Sequence, residues 1–421
     1  MKVDRGGRKM KLAKKIISYI LSITLPLSGC ATDYASFPTF NVGPELSNFF
    51  NLPIEVKVDE NKPKLDVVIP VFDPGLSENS QENLEKNAWP ELRRAEANRF
   101  AYKLKLALEA TGAFGAVRVT PDRTATGDLY AIGKIKESNG QEVEIELTVI
   151  DISGQQWFSK SFEHSVKDEY YKNVRNKGND PYDPLFEKSA RYLAAQLNGN
   201  SSEKLAKTKQ LTELRFGANL SQDAFKENMA IDGGRFILSS FPSDNDPMLR
   251  RTRAVRVRDQ LFVDGLQENY SSFSERMSDS YFNWQEHSSR ELKAKKDAEL
   301  EAAGKAVVGV LAIALAVAVI AAGAKNNNPS MGTAQMSAGL LAGVGGAVLL
   351  QSSFRVSEEA KIHRTALEEL GSSIDIELAP RVVALEKQTV QLTGTAKEQF
   401  AQWRRFLQQI YAQERTPDSK L

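Results

Sequence analysis

From Leu65 the chain alternates. Leu65, Val67, Ile69 and Val71 share one side of "KLDVVIPVFDPG", which closes on Pro74-Gly75 and predicts a strand bounded by a loop. The period then changes to that of a helix. "WPELRRAEANRFAYKLKLALEATG" carries Leu92, Ala95, Phe100, Leu104 and Leu108 on one face, with Pro90 in the first turn and Gly112 as the stop. An edge-like strand, 116–120, comes next. Three alternating runs follow at 127–138, 141–153 and 155–166, separated by Asn-Gly and Ser-Gly-Gln turn signals. In the middle run Val143, Ile145, Leu147 and Val149 oppose Glu142, Glu144, Glu146 and Thr148, which predicts one buried and one wet face. Residues 183–199 return to the helical pattern, with Asp183 as N-cap and Gly199 as stop. This order predicts an α+β domain over 54–200, with helices on one face of a sheet.

Beyond Ser201 the strand alternation fades. Residues 204–216 and 247–305 read as helices, the second long, with Leu249, Val255, Leu261, Leu266, Tyr270, Phe273, Met277, Tyr281 and Trp284 forming a seam that needs a partner helix. Asp232 to Arg235, "DGGR", reads as a turn. Residues 355–374 are amphipathic and suit a helix antiparallel to the long one. Short strands are expected at 374–378 and 389–392, then a last helix opened by a Thr395 cap with Phe400, Trp403, Leu407 and Ile410 on one face.

Between those helices lie two apolar runs. Residues 306–324 hold nineteen positions without a charge, and 336–354 is interrupted only by small or uncharged polar residues; "KNNNPSMGTAQ" joins them. Nineteen residues at 1.5 Å each come to roughly 28 Å, close to the ~30 Å of bilayer hydrocarbon. The pair reads as a membrane hairpin over 304–354. Gly339, Gly343 and Ala347 recur at four-residue steps, as do Ala312 and Ala316, giving small faces on which helices approach closely in lipid. In this the segment resembles the glycine-zipper hairpins of outer-membrane lipoproteins. A buried core hairpin in a soluble bundle fits the same pattern, and the alternation in "LAIALAVAVI" fits a barrel strand, although a barrel's lumen face is normally polar and this one is Ala. The Ala and Gly content lowers the drive for insertion below that of Leu, Ile, Phe and Val, which lets the segment be exported before it inserts.

The N-terminus carries its own signal. Residues 1–15 hold seven Lys/Arg against one Asp, followed by a twelve-residue apolar run at 16–27, the length of a signal-peptide core; Met10 is an alternative start. Leu27-Ser28-Gly29-Cys30 resembles the lipobox of bacterial lipoproteins. That resemblance implies cleavage between Gly29 and Cys30 and acylation of Cys30, a palmitate-type covalent lipid being the only prosthetic group expected. Three acyl chains on one residue amount to stable anchoring. Ala31 after the Cys implies the outer membrane rather than the inner one. Residues 30–53 then serve as a tether.

Composition closes off other chemistry. Cys30 is the only cysteine and the three histidines, His164, His287 and His363, are far apart, so neither a disulfide within the chain nor a metal-ligand spacing is present in the sequence. Basic and acidic residues nearly cancel, 55 against 54, which removes the field that nucleic acid requires. No nucleophile with its base, phosphate loop or paired carboxylate motif stands out, and an enzyme is not expected. Two local features invite partners. Tyr170, Tyr171 and Tyr182 in the charged loop 167–184 suit an interface or a solvated loop. The five arginines of "RRTRAVRVR", 250–258, suit anionic head groups or a solvated helix face beside acidic neighbours.

The runs "VVIPVF", "LKLALEATGAFGAVRV", "DLYAIGKI" and "LTVIDISGQQWFSKSF" resemble the periplasmic domain shared by the curli-secretion lipoprotein CsgG, the TolB N-terminal domain and the lipoprotein activators of penicillin-binding proteins. The whole chain then divides into a signal peptide (1–29), a tether (30–53), an α+β domain (54–200), a helical region (201–303), an apolar hairpin (304–354) and a C-terminal helical region with short strands (355–421). The expected function is that of an outer-membrane, periplasm-facing lipoprotein, homo-oligomeric in the bilayer, acting as a structural or export component with an envelope or secretion protein as partner. The alternative is a lipoprotein regulator of a cell-wall synthase or other envelope machine.

Overall fold

The computed structural model describes residues 59–85, 88–167, 169–176, 178–221, 223–306, 358–385 and 388–413, all within one compact unit. It is α+β: a sheet domain comes first in the chain and a mostly helical region follows. In chain order the elements are β1 (Val67–Pro70), α1 (Ser80–Glu85), α2 (Pro90–Ala110), β2 (Val117–Thr120), β3 (Leu129–Ser138), β4 (Glu142–Asp151), β5 (Gln156–Ser165), α3 (Asp183–Asn198) and α4 (Ser202–Leu220). Then come β6 (Met229–Asp232), β7 (Arg235–Leu238), the 60-residue α5 (Pro247–Ala306), α6 (Glu358–Leu370), β8 (Arg381–Leu385), β9 (Gln388–Leu392) and α7 (Ala396–Gln413). Gly29, Cys30, Ala312, Ala316, Gly339, Gly343 and Ala347, and the expected hairpin beyond Ala306, lie outside the described residues.

The main sheet runs β2-β1-β3-β4-β5. β1 is parallel to both neighbours, with Val67 opposite Val117 on one side and Leu129 on the other, and β3, β4 and β5 form an antiparallel meander. A parallel pair needs a crossover, and α2 supplies it between β1 and β2. The alternation in β4 holds: Val143, Ile145, Leu147 and Val149 are buried and the intervening residues are half-exposed. The helix side of β5 adds Phe158 and Phe162, both edge-on to Tyr192 of α3 at 5.0 and 5.6 Å.

α2 is buried on more than its apolar face. Leu92, Ala95, Phe100, Leu104 and Leu108 are within the core, but Arg93, Glu96, Asn98 and Arg99 are also buried, because α5 and α6 pack on the side turned away from the sheet. α5 runs antiparallel to α2: Tyr281 meets Glu96, Ser274 meets Arg99 and Ser271 meets Tyr102. α5 also closes the β2 edge, where the Gln267 amide accepts the Val119 N–H at 2.9 Å and donates to the Val119 carbonyl at 2.8 Å. An exposed edge invites pairing with another chain, and this side-chain amide takes the place of a strand.

α6 returns along α5. His363 lies 3.0 Å from both Ser280 Oγ and Asn283 Nδ2, and Arg94 reaches the Gly371 carbonyl at 2.7 Å. Since Arg364 faces Trp89 and Ile374 accepts from Asn98, α6 follows α2 and therefore opposes α5, as the amphipathic pattern predicts. α7 closes the other end, with Trp403 stacked on Phe262 at 4.9 Å and opened by a capping box in which Thr395 Oγ1 accepts the Glu398 N–H while Glu398 accepts the Thr395 N–H.

Several expectations change. Asp183 does not cap α3; the helix begins there behind Tyr182, and the Asp183 carboxylate accepts Lys103 Nζ at 2.7 Å instead. Leu261 is 64% exposed, because Phe262 takes the inward position against Trp403. The first C-terminal strand lies at 381–385 rather than 374–378. Residues 374–378 alternate because Ile376 and Leu378 bury beside α7, and only Glu377 makes a bridge, to Thr395. The "DGGR" turn is present, with Gly233 and Gly234 at φ +55° and +77°, and it closes a β6–β7 hairpin that the alternation did not announce.

Candidate functional site: a buried ionic junction beneath the long helix

Three segments meet at Arg99: α2, the loop that carries Asp180, and α5. Its Nη2 and Nε donate to Asp180 Oδ2 at 2.8 and 3.2 Å, and its Nη1 donates to the Ser274 carbonyl, Ser274 Oγ and Ser278 Oγ of α5 at 2.6, 3.1 and 3.0 Å. The guanidinium also lies 5.1 Å over the Tyr281 ring. Asp180 is held from every side: Lys103 Nζ is 3.6 Å away, and Oδ1 accepts the Tyr182 N–H at 3.0 Å and Gln285 Nε2 at 3.2 Å. Burial alone would raise this carboxyl. Lys103 and Arg99, with the Tyr182 N–H, outweigh it and hold Asp180 ionised, below the usual carboxylate range.

One turn earlier on α2, Glu96 behaves oppositely. It is fully buried, and Oε1 accepts Ser138 Oγ at 2.5 Å and Tyr281 OH at 2.7 Å, with Arg93 Nε 3.7 Å from Oε2. Burial dominates over Arg93 and the two hydroxyls, so its carboxyl is raised above the ordinary 4.5. The aromatic wall is continuous: Tyr182 meets Tyr281 edge-on at 6.2 Å, and Tyr281 stacks on Trp284 at 5.4 Å.

The β3–β4 turn enters the same junction. Gly140, at φ +86°, donates its N–H to Tyr182 OH at 2.7 Å and accepts from Tyr171 OH at 2.6 Å. A Cβ there would lie 2.5 Å from the Gln285 carbonyl and 3.0 Å from the Ser289 N, so only Gly lets the turn rest on the backbone of α5.

The three loop tyrosines are therefore neither an interface nor solvated. Tyr170 and Tyr182 are buried and Tyr171 is half-buried, each phenol bonded within the fold. The arginine run is also used internally in large part: Arg253 bonds Glu213 and Asp244 at 2.9 Å each, Arg251 donates to the Tyr411 carbonyl at 2.5 Å, and Arg256 is 4.0 Å from Asp66. The sequence did not single out Arg93, Glu96, Arg99 and Asp180. Charges at three-residue steps on a helix ordinarily mark a solvated face, and the only signal against that was the apolar seam of α5 demanding a partner.

The charged groups of the junction are sealed against one another. They fix α5 to the sheet domain with directional, desolvated bonds. Among the described residues no group of three His, Cys, Asp or Glu could hold a metal ion, and no helix is long and apolar enough to cross a membrane. Compared with protein-family models, curated proteins and solved structures, the chain matches none.

Proposed function

We propose that the protein is an outer-membrane lipoprotein, anchored through Cys30, whose α+β domain faces the periplasm and whose apolar segment assembles copies of the chain into a structural or export component of the envelope. One observation carries this reading: both flanks of the apolar segment, α5 before it and α6 after it, dock antiparallel on the α+β domain, and α5 is locked there by the Arg99–Asp180 junction. A lipid-facing element held at both ends by a rigid domain transmits position from the membrane to that domain.

The test is the size of the full chain in detergent, by light scattering. A discrete assembly of many copies, weakened by Gly343→Leu, supports the proposal. A monomer that co-purifies with a cell-wall synthase overturns it in favour of a regulator.

A further inference from the structure

Two open cavities flank the β6–β7 hairpin, and their charges differ. The larger, about 770 Å³, sets Lys204, Lys207 and Arg235 against Asp151, Glu203 and Asp232, so its charges balance. The smaller, about 400 Å³, is lined by Arg123 and Arg215 with no carboxylate in its wall.

Arg215 is the decisive residue. It is half-buried on α4, its guanidinium carbon lies 3.9 Å from the Phe236 ring centroid, and it donates through Nη1 to the Ile152 carbonyl. Among the described residues it forms no ion pair. Burial lowers its proton affinity, and the neighbouring Tyr130 phenol offsets part of this. A guanidinium withdrawn from water without a counter-charge is costly, whereas one that meets an anion forms strong, directional bonds. Arg123, exposed at the rim, likewise has no carboxylate within ion-pair distance among the described residues. The Asp122 carboxylate next to it is taken by the Thr124 N–H and hydroxyl. Thr126 and Asn219 are among its other polar lining residues, and Met229 and Phe236 among the apolar ones.

We infer that this cavity binds a phosphate ester, with the phosphoryl group between Arg123 and Arg215 and the rest of a small molecule or headgroup against Phe236 and Met229. Two guanidiniums, Arg215 through the N–H groups it does not give to Ile152, suit the three free oxygens of a phosphoryl group better than the two of a carboxylate. The volume lies within the usual range for small-molecule sites. This inference does not rest on the envelope function proposed above.

The experiment is calorimetric titration of the purified full chain with glycerol 3-phosphate, with glycerol and citrate as controls, alongside flotation with phosphatidylcholine vesicles with and without phosphatidic acid. Saturable binding of glycerol 3-phosphate, weakened about tenfold or more by Arg123→Ala and lost in Arg215→Gln, is the expected result. Binding confined to phosphatidic acid vesicles and equally sensitive to Arg123→Ala also supports the site and assigns a lipid source. Lys207→Ala, in the neighbouring cavity, should change nothing. Because Arg123 is exposed, its variant keeps the test decisive even where Arg215→Gln fails to fold. No binding to either probe, binding indifferent to Arg123→Ala, or equal binding of citrate overturns the assignment.

Discussion

Glu96 and Asp180 share one buried junction yet respond to pH in opposite directions. The folded-state carboxyl of Glu96 is raised, so the group costs nothing while it is protonated in both states. As pH climbs through the ordinary 4.5 the unfolded chain ionises first, and stability falls until the folded-state value is passed. Asp180 is lowered in the fold; its contribution is present above the unfolded value and is lost as pH falls toward the folded one. Glu96→Gln, whose amide oxygen still accepts Ser138 and Tyr281, should therefore flatten the loss of stability on the alkaline side of pH 4.5, read from urea midpoints at successive pH values. Asp180→Ala should instead cost ~3–5 kcal/mol at neutral pH, because it leaves Arg99 buried without its counter-charge, whereas Lys103 keeps Asp183. A small change at Asp180 would mean that Ser274 and Ser278 alone satisfy Arg99.

At the scale of elements, α6 packs on α2 of the sheet domain and on α5, whereas α7 packs on α4 and α5. A Cβ at Gly371 would overlap the Glu91 carbonyl, so Gly371→Ala should push α6 off α2 at a cost of ~1–3 kcal/mol, visible as faster proteolysis near residue 370 with the sheet domain intact. Phe262→Ala removes the ring stacked on Trp403 and should cost ~3–5 kcal/mol, with a change in Trp fluorescence as α7 loosens. Most elements were legible in the chain, the β6–β7 hairpin and the strand at 381–385 excepted: β4 alternates in the fold as in the sequence, and Pro90, Gly112 and Thr395 bound their helices where local chemistry places them. Asp183 and residues 374–378 were misread because a distant contact, Lys103 in one case and α7 in the other, took the group that local pattern assigned to a cap or a strand.

For the whole molecule, the proposed attachment makes two claims with separate readouts. Cys30→Ala should abolish labelling by radioactive palmitate and leave a longer precursor; normal labelling would remove the lipid anchor while leaving the junction untouched. The apolar segment is tested by the assembly size already described.

The sequence by itself determined the local elements, the apolar runs and the lipobox-like "LSGC", because periodicity, turn residues and short motifs are properties of neighbouring positions. Only the tertiary structure decided that α5 lies against α2, that Arg99 and Asp180 meet across 81 positions, and that Arg123 and Arg215 line one cavity without an acid. Whether a charge on a helix is solvated or sealed depends on what the chain brings over it from far away. No spacing along the chain records that.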